Sequence, residues 1–432
     1  YFQTGSLPNG VFDSEVFSTW SYVTHYGNWT SPYGWVPGGF ADAAHKHGVL
    51  VSGVASIPWA ASSGDWHTCM AGMANIATSD GGVEKVGKFL RYHGVDGLGY
   101  NSEFSSGGSF MPGLRTLHGG LVKYMKEKGQ AGFENPWYGI TTDAGSISYG
   151  EGLLSSYYQN FGYSDEPRTI FFTNYNWNSS TYFSADKAAF EATKRDTRDL
   201  YMGMNMQGGC KSTTEWLAHA EGGQAQDYSI GLWGEHSKNM LFPARVSAGG
   251  SDILKQQGYQ KVLEQWFTNG KRNPAYRMEI DQSGSLGVSD VFQGMSRFMN
   301  ARSAYGWNLA DEPFITYFSL GNGNCYRLNG DVAYSSEWYN IGMQDYTPTW
   351  RWWWSTKMLG KDEADIPANS MSAEFSWDDA WNGGSSLKIS GSTAAGETQY
   401  LHLFKTQFNV KNNDIITIRY KILKGNGDIN FV

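Results

Sequence analysis

An amide and a carboxyl group stand two residues apart at the end of an apolar run, at Asn101 and Glu103. In a β-strand, residues i and i+2 lie on the same face, so the two side chains would project together. His93-Gly94 precedes the run and a segment rich in Ser and Gly follows the pair, which predicts a short buried strand that ends in a loop. A carboxyl group at such a strand end could donate a proton to a leaving group while the amide orients the reacting group.

The elements around this pair are predicted to be parallel strands that alternate with helices. Short β-branched or aromatic runs are separated by helical stretches, as in strands joined by crossover helices. Eight strands are expected, near 17–23, 49–55, 95–101, 132–138, 169–175, 200–206, 227–233 and 314–319, with helices such as 114–128, 185–197, 213–220 and 253–267. The count predicts the α/β class and a (β/α)₈ TIM barrel, whose active site lies at the carboxyl ends of the strands.

After about residue 320 the pattern changes to short runs of alternating apolar and polar residues that are separated by turns. This pattern is typical of antiparallel strands. Strands are expected at 325–328, 386–390, 398–408 and 414–423, which predicts an antiparallel β-sandwich domain after the barrel. Three divisions follow: 1–6 is similar to a purification-tag remnant, 7–322 is the catalytic barrel, and 323–432 is the sandwich. The sandwich is expected to be cut short, because a strand-like segment begins at its end.

The motif around Asn101 invites comparison with the family 18 chitinases, whose strand motif is D-G-x-D-x-D-x-E. Asp96, Gly97 and Glu103 match that motif. Gly99 and Asn101 depart from it, because that family has aspartates at both positions. The Asn-x-Glu pair instead resembles glycoside hydrolase family 85, the endo-β-N-acetylglucosaminidases that cut inside the chitobiose core of N-glycans.

Further segments resemble family 85, in the same order along the chain. They are 42–49, 137–138, 143–149, 173–177, 232–235, 313–316, 321–323, 344–345 and 348–352. The resemblance therefore spans most of residues 17–390. One departure is Gly139, which stands where the family has an aspartate, next to Tyr138.

The resemblance implies a retaining, substrate-assisted hydrolysis through an oxazoline-type intermediate, in which the acetamide oxygen of the substrate attacks the anomeric carbon. Glu103 is implied to be the acid and base, Asn101 to orient the acetamide, and Tyr138 to form a hydrogen bond near it. The candidates for binding the sugars are Asn174, Tyr175, Trp177, Asn205, Trp233 and Glu235. For each aromatic candidate the alternative is a position in the core. This chemistry requires no metal and no cofactor.

The charge balance argues against nucleic acids and anionic membranes as partners. The chain has 33 Lys+Arg, 41 Asp+Glu and a formal net charge of −8, without the clustered cations that phosphate binding needs. Its 18 Trp and 26 Tyr offer flat rings for sugars, and N-linked glycans of glycoproteins are the expected partner.

No apolar run reaches the roughly 18 residues of a membrane span. The 3 cysteines predict neither a disulfide framework nor a metal cluster. Composition favours a secreted or cell-surface protein by association, and a cytoplasmic location stays open.

Two other functions remain open at this point. A chitinase-like hydrolase of linear polymer is disfavoured by Asn101, and a catalytically silent lectin on a barrel scaffold is encouraged by Gly139. The aromatic run at 350–354 could be a sugar platform, but adjacent aromatics alternate faces on a strand, so interdomain packing is predicted. His45 and His47 are predicted to lie at a helix C-terminus, where a positive charge favours the dipole.

Overall fold

The structure, a computed structural model, describes residues 17–28, 36–56, 72, 75–76, 78–102, 111–130, 132–133, 135–139, 169–173, 188, 190–192, 196–205, 228–233, 251–268, 299, 301–303, 313–356, 371–426 and 430. Seven parallel strands form one sheet in chain order. They are β1 (His25–Asn28), β2 (Leu50–Ser56), β3 (Gly97–Ser102), β4 (Asn135–Gly139), β5 (Thr169–Phe172), β6 (Leu200–Asn205) and β7 (Ser229–Trp233). The predicted positions of β2 to β7 are confirmed.

Helices lie between the first four of these strands, and a further helix follows β7. They are α1 (Gly38–Lys46), α2 (Gly82–Tyr92), α3 (Met111–Glu127) and α4 (Asp252–Thr268). The last two agree with the predicted helices at 114–128 and 253–267, and residues 188 and 190–192 of the predicted helix at 185–197 are helical. The predicted helix at 213–220 lies outside the described residues.

Two of the helices end in the same way just before a strand. Gly48 follows α1 and Gly94 follows α2, with positive φ angles of 68° and 66°. Glycine adopts this backbone conformation without the steric penalty of other residues. The next amides, of Val49 and Val95, donate to helix carbonyls five residues earlier. In both places the sequence His-Gly-Val therefore ends a helix and begins a buried strand.

Both faces of the parallel sheet are covered. Consecutive strand residues face opposite sides of a sheet. Val51 and Ser52 of β2 are nevertheless both 0 % exposed, and Ile170 and Phe171 of β5 are 1 % and 2 % exposed. Right-handed crossovers place all the helices on one face when the strands follow chain order. The second face must therefore be covered by other parts of the chain or by curvature of the sheet itself.

The strand predicted at 17–23 is wrong. This segment forms a 3₁₀ turn at Trp20–Tyr22, and β1 begins only at His25. Its carbonyls bind side chains from far along the chain: Gln344 donates to Phe17, and Thr347 donates to Ser18. These bonds take the place of a neighbouring strand.

The strand predicted at 314–319 is also wrong. The amides of Tyr317 and Ser319 donate to the carboxylate of Asp345, at 2.9 and 3.0 Å, and the amide of Leu320 donates to the hydroxyl of Ser385 at 2.9 Å. Side chains thus satisfy amides that a strand would pair with a neighbour. Burial raises the pKa of Asp345, although the two backbone amides oppose the rise.

Antiparallel pairing begins near residue 322, and we call the described residues from 320 onward the antiparallel region. The strands are β8 (Asn322–Gly323), β9 (Tyr326–Leu328), β10 (Asp331–Tyr334), β11 (Trp338–Tyr339), β12 (Trp353–Ser355), β13 (Met371–Ser376), β14 (Ser386–Gly391) and β15 (Tyr400–His402). They pair as β8 with β11, β9 with β10, β12 with β15 and β13 with β14. The predicted strand at 398–408 pairs only at β15, and 414–423 has no strand partner among the described residues. The sandwich stays a prediction.

The aromatic run at 350–354 is buried. Trp352 and Trp354 belong to a core cluster of this antiparallel region, which is completed by Leu320, Ala373, Phe375 and Trp377. Trp353 stacks on His402 with ring centroids 4.0 Å apart. The run is therefore not a sugar platform, and its packing lies mainly within the antiparallel region.

The antiparallel region contacts the sheet at the amino-terminal ends of β1 and β2. Gln344, which is 0 % exposed, accepts a hydrogen bond from the indole of Trp20 at 2.6 Å. The guanidinium of Arg351, 1 % exposed, donates to the carbonyl of Ser18. The amide of Thr347 faces Nε2 of His47, three residues before β2, at 3.4 Å. This edge of the sheet is a buried, hydrogen-bonded interface.

A second buried contact joins α4 to the antiparallel region. The side-chain amide of Asn322, 0 % exposed, donates to the carbonyls of Gln256 and Gln260 on α4, at 2.7 and 2.9 Å. Its oxygen accepts the indole N–H of Trp377 at 2.8 Å. Three side chains from two regions thus share one amide.

None of the helices within the described residues combines the length and the apolar character needed to cross a membrane.

Candidate active site

The predicted site residues that the structure describes lie at the carboxyl ends of the parallel strands. Asn101 is the Cα partner of Tyr138 in the β3–β4 ladder. Asn205 is the Cα partner of Trp233 in the β6–β7 ladder, and these two residues end their strands. Neighbouring strands lie about 4.8 Å apart, so each pair brings two candidates side by side. The four positions share the one edge of the sheet where ligands of α/β folds bind.

The strand between these pairs, β5, ends in a hydrogen bond made by a side chain. Thr173 follows β5, and its amide donates to the carbonyl of Tyr201 at 2.9 Å. The hydroxyl of Thr173 accepts the amide of Gly203 in β6 at 3.0 Å. Thr173 is only 5 % exposed. The ends of β5 and β6 are therefore fixed to each other just before the candidates Asn174 and Asn205.

The remaining candidates lie outside the described residues. They are Glu103, Asn174, Tyr175, Trp177 and Glu235. Their positions in the chain still follow the described strand ends: Glu103 comes directly after β3, and Glu235 comes two residues after β7. Gly139, the departure next to Tyr138, ends β4 and is the Cα partner of Ser102.

Asp96, the first residue of the Asp-Gly motif, lies at the opposite end of the strand from Asn101. Its carboxylate accepts the amide of Val51 at 2.8 Å and contacts Nε2 of His45 at 2.6 Å. That hydrogen bond is the main reason why the pKa of His45 is raised. Asp96 therefore ties α1 and β2 to β3 and is remote from the candidate site.

His47 is a buried neutral group. Burial lowers its pKa to about 3, against the smaller opposing effect of its hydrogen bond to the carbonyl of Ala43. Its Nδ1 lies 2.7 Å from that carbonyl. The predicted charge–dipole role is wrong for His47, because the imidazole carries no charge at neutral pH.

Within the described residues, no three His, Cys, Asp or Glu side chains gather closely enough to hold a metal ion. By residue type, the described strand ends carry amides at Asn101 and Asn205, a phenol at Tyr138 and an indole at Trp233. Such groups suit a neutral, hydroxyl-rich ligand, since they donate and accept hydrogen bonds and present flat rings.

A family model matches residues 4–326, which include all of these strand ends, and its description is glycosyl hydrolase family 85. The chain belongs to glycosyl hydrolase family 85. The family predicted from the Asn101 and Glu103 motif is confirmed, and with it the class of glycoside hydrolases.

Two curated relatives of this family 85 chain are named cytosolic endo-β-N-acetylglucosaminidase. The Homo sapiens protein is 23 % identical over 399 residues, and the Danio rerio protein is 22 % identical over 391 residues. The alignments cover 89 % and 90 % of this chain but 43 % and 46 % of the relatives. The chain thus spans less than half the length of these relatives. Both are named cytosolic, so the predicted secretion finds no support in them.

A solved structure has a similar fold. The glycoside hydrolase domain of Endo-D from Streptococcus pneumoniae R6 matches with a TM-score of 0.69 and 22 % identity. The match covers 91 % of this chain and 58 % of that chain. At this level of identity the likeness concerns the fold alone. The structural match covers more of this chain than the family model, which ends at residue 326.

Sequence reasoning missed the part played by Thr173. The residue stands in the segment 173–177 that resembles family 85, but only the residues after it were candidates. The signal that could have singled it out is a hydroxyl residue directly after an apolar strand, because such side chains often replace a backbone hydrogen-bond partner.

Proposed function

We propose that this chain is an endo-β-N-acetylglucosaminidase that cleaves the GlcNAc-β-1,4-GlcNAc bond in the chitobiose core of N-glycans. The observation that carries the proposal is the register that sets Asn101 beside Tyr138 at the carboxyl edge, inside the segment that matches family 85. The names of the two curated relatives support this reaction class. N-linked glycans of glycoproteins are the proposed partners.

The proposed mechanism is substrate-assisted and retaining. Glu103 gives its proton to the glycosidic oxygen as the bond to the anomeric carbon breaks. The acetamide oxygen of the same sugar forms a new bond to that carbon, which gives an oxazoline-type intermediate and leaves no need for a protein nucleophile. Glu103, now a carboxylate, takes a proton from water, which opens the ring and restores the β configuration.

Asn101 and Tyr138 are proposed to hold the acetamide during this reaction. Asn101 lies on β3 and precedes Glu103 by two residues in the sequence, and Tyr138 is the register partner of Asn101 on β4. Two groups fixed on rigid strands can orient the attacking oxygen at little entropic cost. The sugars would be bound by the candidates that end the neighbouring strands or follow them in the sequence: Asn174, Tyr175, Trp177, Asn205, Trp233 and Glu235.

We also propose that the sheet closes into a (β/α)₈ barrel. Seven sequential parallel strands whose faces are both covered fit a closed sheet better than an open one. The amide of Arg302 donates to the carbonyl of Ser21 at 2.8 Å, and its guanidinium donates to the carbonyls of Val23 and Gly48. Arg302 therefore lies beside the start of β1, where the last strand of a barrel would begin. The likeness to Endo-D supports this fold.

The antiparallel region is proposed to stabilise the barrel and not to form the cleft. Its contacts among the described residues include α1, α4, Trp20 and His47, and the last two lie at the amino-terminal edge, opposite Asn101. In barrel enzymes this edge serves stability. The boundary near residue 322 and the completion of the region as a β-sandwich remain proposals.

The reaction is tested by incubating the chain with a glycoprotein that carries defined high-mannose glycans and, in parallel, with soluble chitin oligomers. Mass analysis should show the glycoprotein reduced to a single retained GlcNAc at each site, with the chitin oligomers cleaved far more slowly. Preferential cleavage of chitin would favour the chitinase-like alternative. Binding of the glycan by calorimetry without turnover would favour the lectin.

A further inference from the structure

Thr173 closes the ladder between β5 and β6 with its side chain. In a regular parallel ladder the amide of Gly203 would bind the carbonyl of Thr173, because the amide of Thr173 binds the carbonyl of Tyr201. The amide of Gly203 instead binds the Thr173 hydroxyl at 3.0 Å. The backbone at Thr173 can thus leave the strand direction while the two strands stay joined.

The bond is shielded from solvent. Thr173 is 5 % exposed, and Gly203 and Met202 are buried. The Thr173 hydroxyl also donates toward the sulfur of Met202 at 3.9 Å, so the hydroxyl has both a donor and an acceptor on β6. Water cannot easily replace a buried partner, so the position of the hydroxyl is strongly specified.

The location of the bond links it to the proposed cleft. Thr173 directly precedes Asn174, and Gly203 lies two residues before Asn205 on β6. Asn205 is the register partner of Trp233, and Gly203 is the register partner of Gly231. The hydroxyl therefore joins β5 to β6 one residue before Asn174 in the sequence and two residues before Asn205, which are both proposed to bind sugar.

We propose that Thr173 is a positioning residue of the active site, whose hydroxyl sets the distance and register between the carboxyl ends of β5 and β6. Its effect on glycan hydrolysis passes through Asn174 and Asn205, and this part of the inference rests on the proposed function. A valine has the same branched shape but cannot accept the amide of Gly203, whereas a serine keeps the hydroxyl. The two substitutions therefore separate the hydrogen bond from the shape.

The test compares Thr173→Val, Thr173→Ser and Thr347→Val with the unchanged chain. Thr347 is a matched control, because it is 3 % exposed and its hydroxyl donates to the carbonyl of Ser18 at 2.9 Å, at the opposite edge of the sheet. Hydrolysis of the high-mannose glycoprotein is measured as kcat and KM per folded molecule. Hydrogen–deuterium exchange is measured in peptides that cover 200–205 and 229–233.

Thr173→Val is expected to lower kcat/KM about tenfold or more, and Thr173→Ser to stay within about threefold of the unchanged chain, since small misplacements of binding groups are costly. Exchange in 200–205 should rise only in Thr173→Val. Thr347→Val should lose stability while kcat, KM and exchange in 200–205 stay unchanged.

Equal kcat/KM for Thr173→Val and the unchanged chain, after correction for the folded fraction, would overturn the proposal. A loss of the same size in Thr347→Val would overturn it too, because the effect would then be general destabilisation. If the unchanged chain hydrolyses no glycan, the proposed function is wrong, and exchange in 200–205 alone decides whether Thr173 fixes the strand ends.

Discussion

His47 joins two parts of the chain through its two ring nitrogens. Nδ1 donates to the carbonyl of Ala43 in α1, which leaves Nε2 unprotonated and able to accept the amide of Thr347. A proton on Nε2 would face that amide and would lie near the cations of Lys46, Arg351 and Arg302. The neutral imidazole is therefore required at this interface.

Acid should weaken the fold through His47. Its pKa is lowered from the ordinary 6.5 to about 3. Between these two pH values, His47 is protonated in the unfolded chain and neutral in the folded chain. The resulting stability is fully present above pH 6.5 and is lost as the pH falls toward 3. Between pH 7 and pH 5 the loss should be about 2 kcal/mol.

Urea unfolding at pH 7 and pH 5 measures this loss. In His47→Gln, which has no proton to bind at this position, the free energy of unfolding should be lower at pH 7 but should fall less between the two pH values. The same fall in both proteins would show that His47 does not cause the acid sensitivity.

Single residues were predictable where local sequence determines their place. Asn101, Tyr138, Asn205 and Trp233 follow apolar runs, and each was correctly expected at a strand end. A hydroxyl residue directly after an apolar run is a local signal at Thr173, but its partner Gly203 was not predictable, because that depends on the register of β5 against β6.

Elements were predictable where a turn signal and an apolar run stand together. The glycines at 48 and 94 mark the junctions of α1 with β2 and of α2 with β3. The segments 17–23 and 314–319 have equally apolar sequences, yet neither is a strand. Their backbone groups bind side chains of residues distant in sequence, such as Gln344 and Asp345, and no local pattern reveals such partners.

Two glycines in neighbouring helices should respond to alanine in opposite ways. A Cβ on Gly87 of α2 would lie 2.4 Å from the ring of Tyr124 in α3, whereas a Cβ on Gly119 of α3 would have no atom within 4 Å. Gly87→Ala should therefore destabilise the protein by about 1–3 kcal/mol. Gly119→Ala should stabilise it by about 0.5–1 kcal/mol through helix propensity.

Thermal and urea unfolding of the two variants would measure this difference. Because both changes have the same propensity term, the gap between them reports the contact of α2 with α3. Equal effects of the two substitutions would contradict the close approach of these helices.

The whole molecule is held together by buried polar side chains between its parallel and antiparallel regions. Asn322 binds Gln256 and Gln260 on α4, and Gln344 binds the indole of Trp20 ahead of β1. Hydrogen bonds between buried side chains favour this arrangement of the two regions, because another arrangement would leave these groups buried without these partners. We therefore expect the two regions to unfold together.

Asn322→Leu should lower the free energy of unfolding by about 3 kcal/mol or more, since it leaves Trp377 and two glutamines without their buried partner. Asn382→Leu is the control, because the Asn382 oxygen accepts the amide of Asn329 in a more exposed bond. Its cost should stay below about 1 kcal/mol. Tryptophan fluorescence and far-UV circular dichroism should report one shared transition. Separate transitions for the two probes would contradict cooperative unfolding.

We expect Glu103, which directly follows β3 in the sequence, to be the acid and base that cleaves the chitobiose core. The most direct measurement is mass analysis of a high-mannose glycoprotein after incubation with the chain, with Glu103→Gln and with Glu84→Gln, an exposed glutamate on α2. We expect one retained GlcNAc per site with the chain and with Glu84→Gln, and an intact glycan with Glu103→Gln. Full cleavage by Glu103→Gln, or an intact glycan with all three proteins, would contradict the claim.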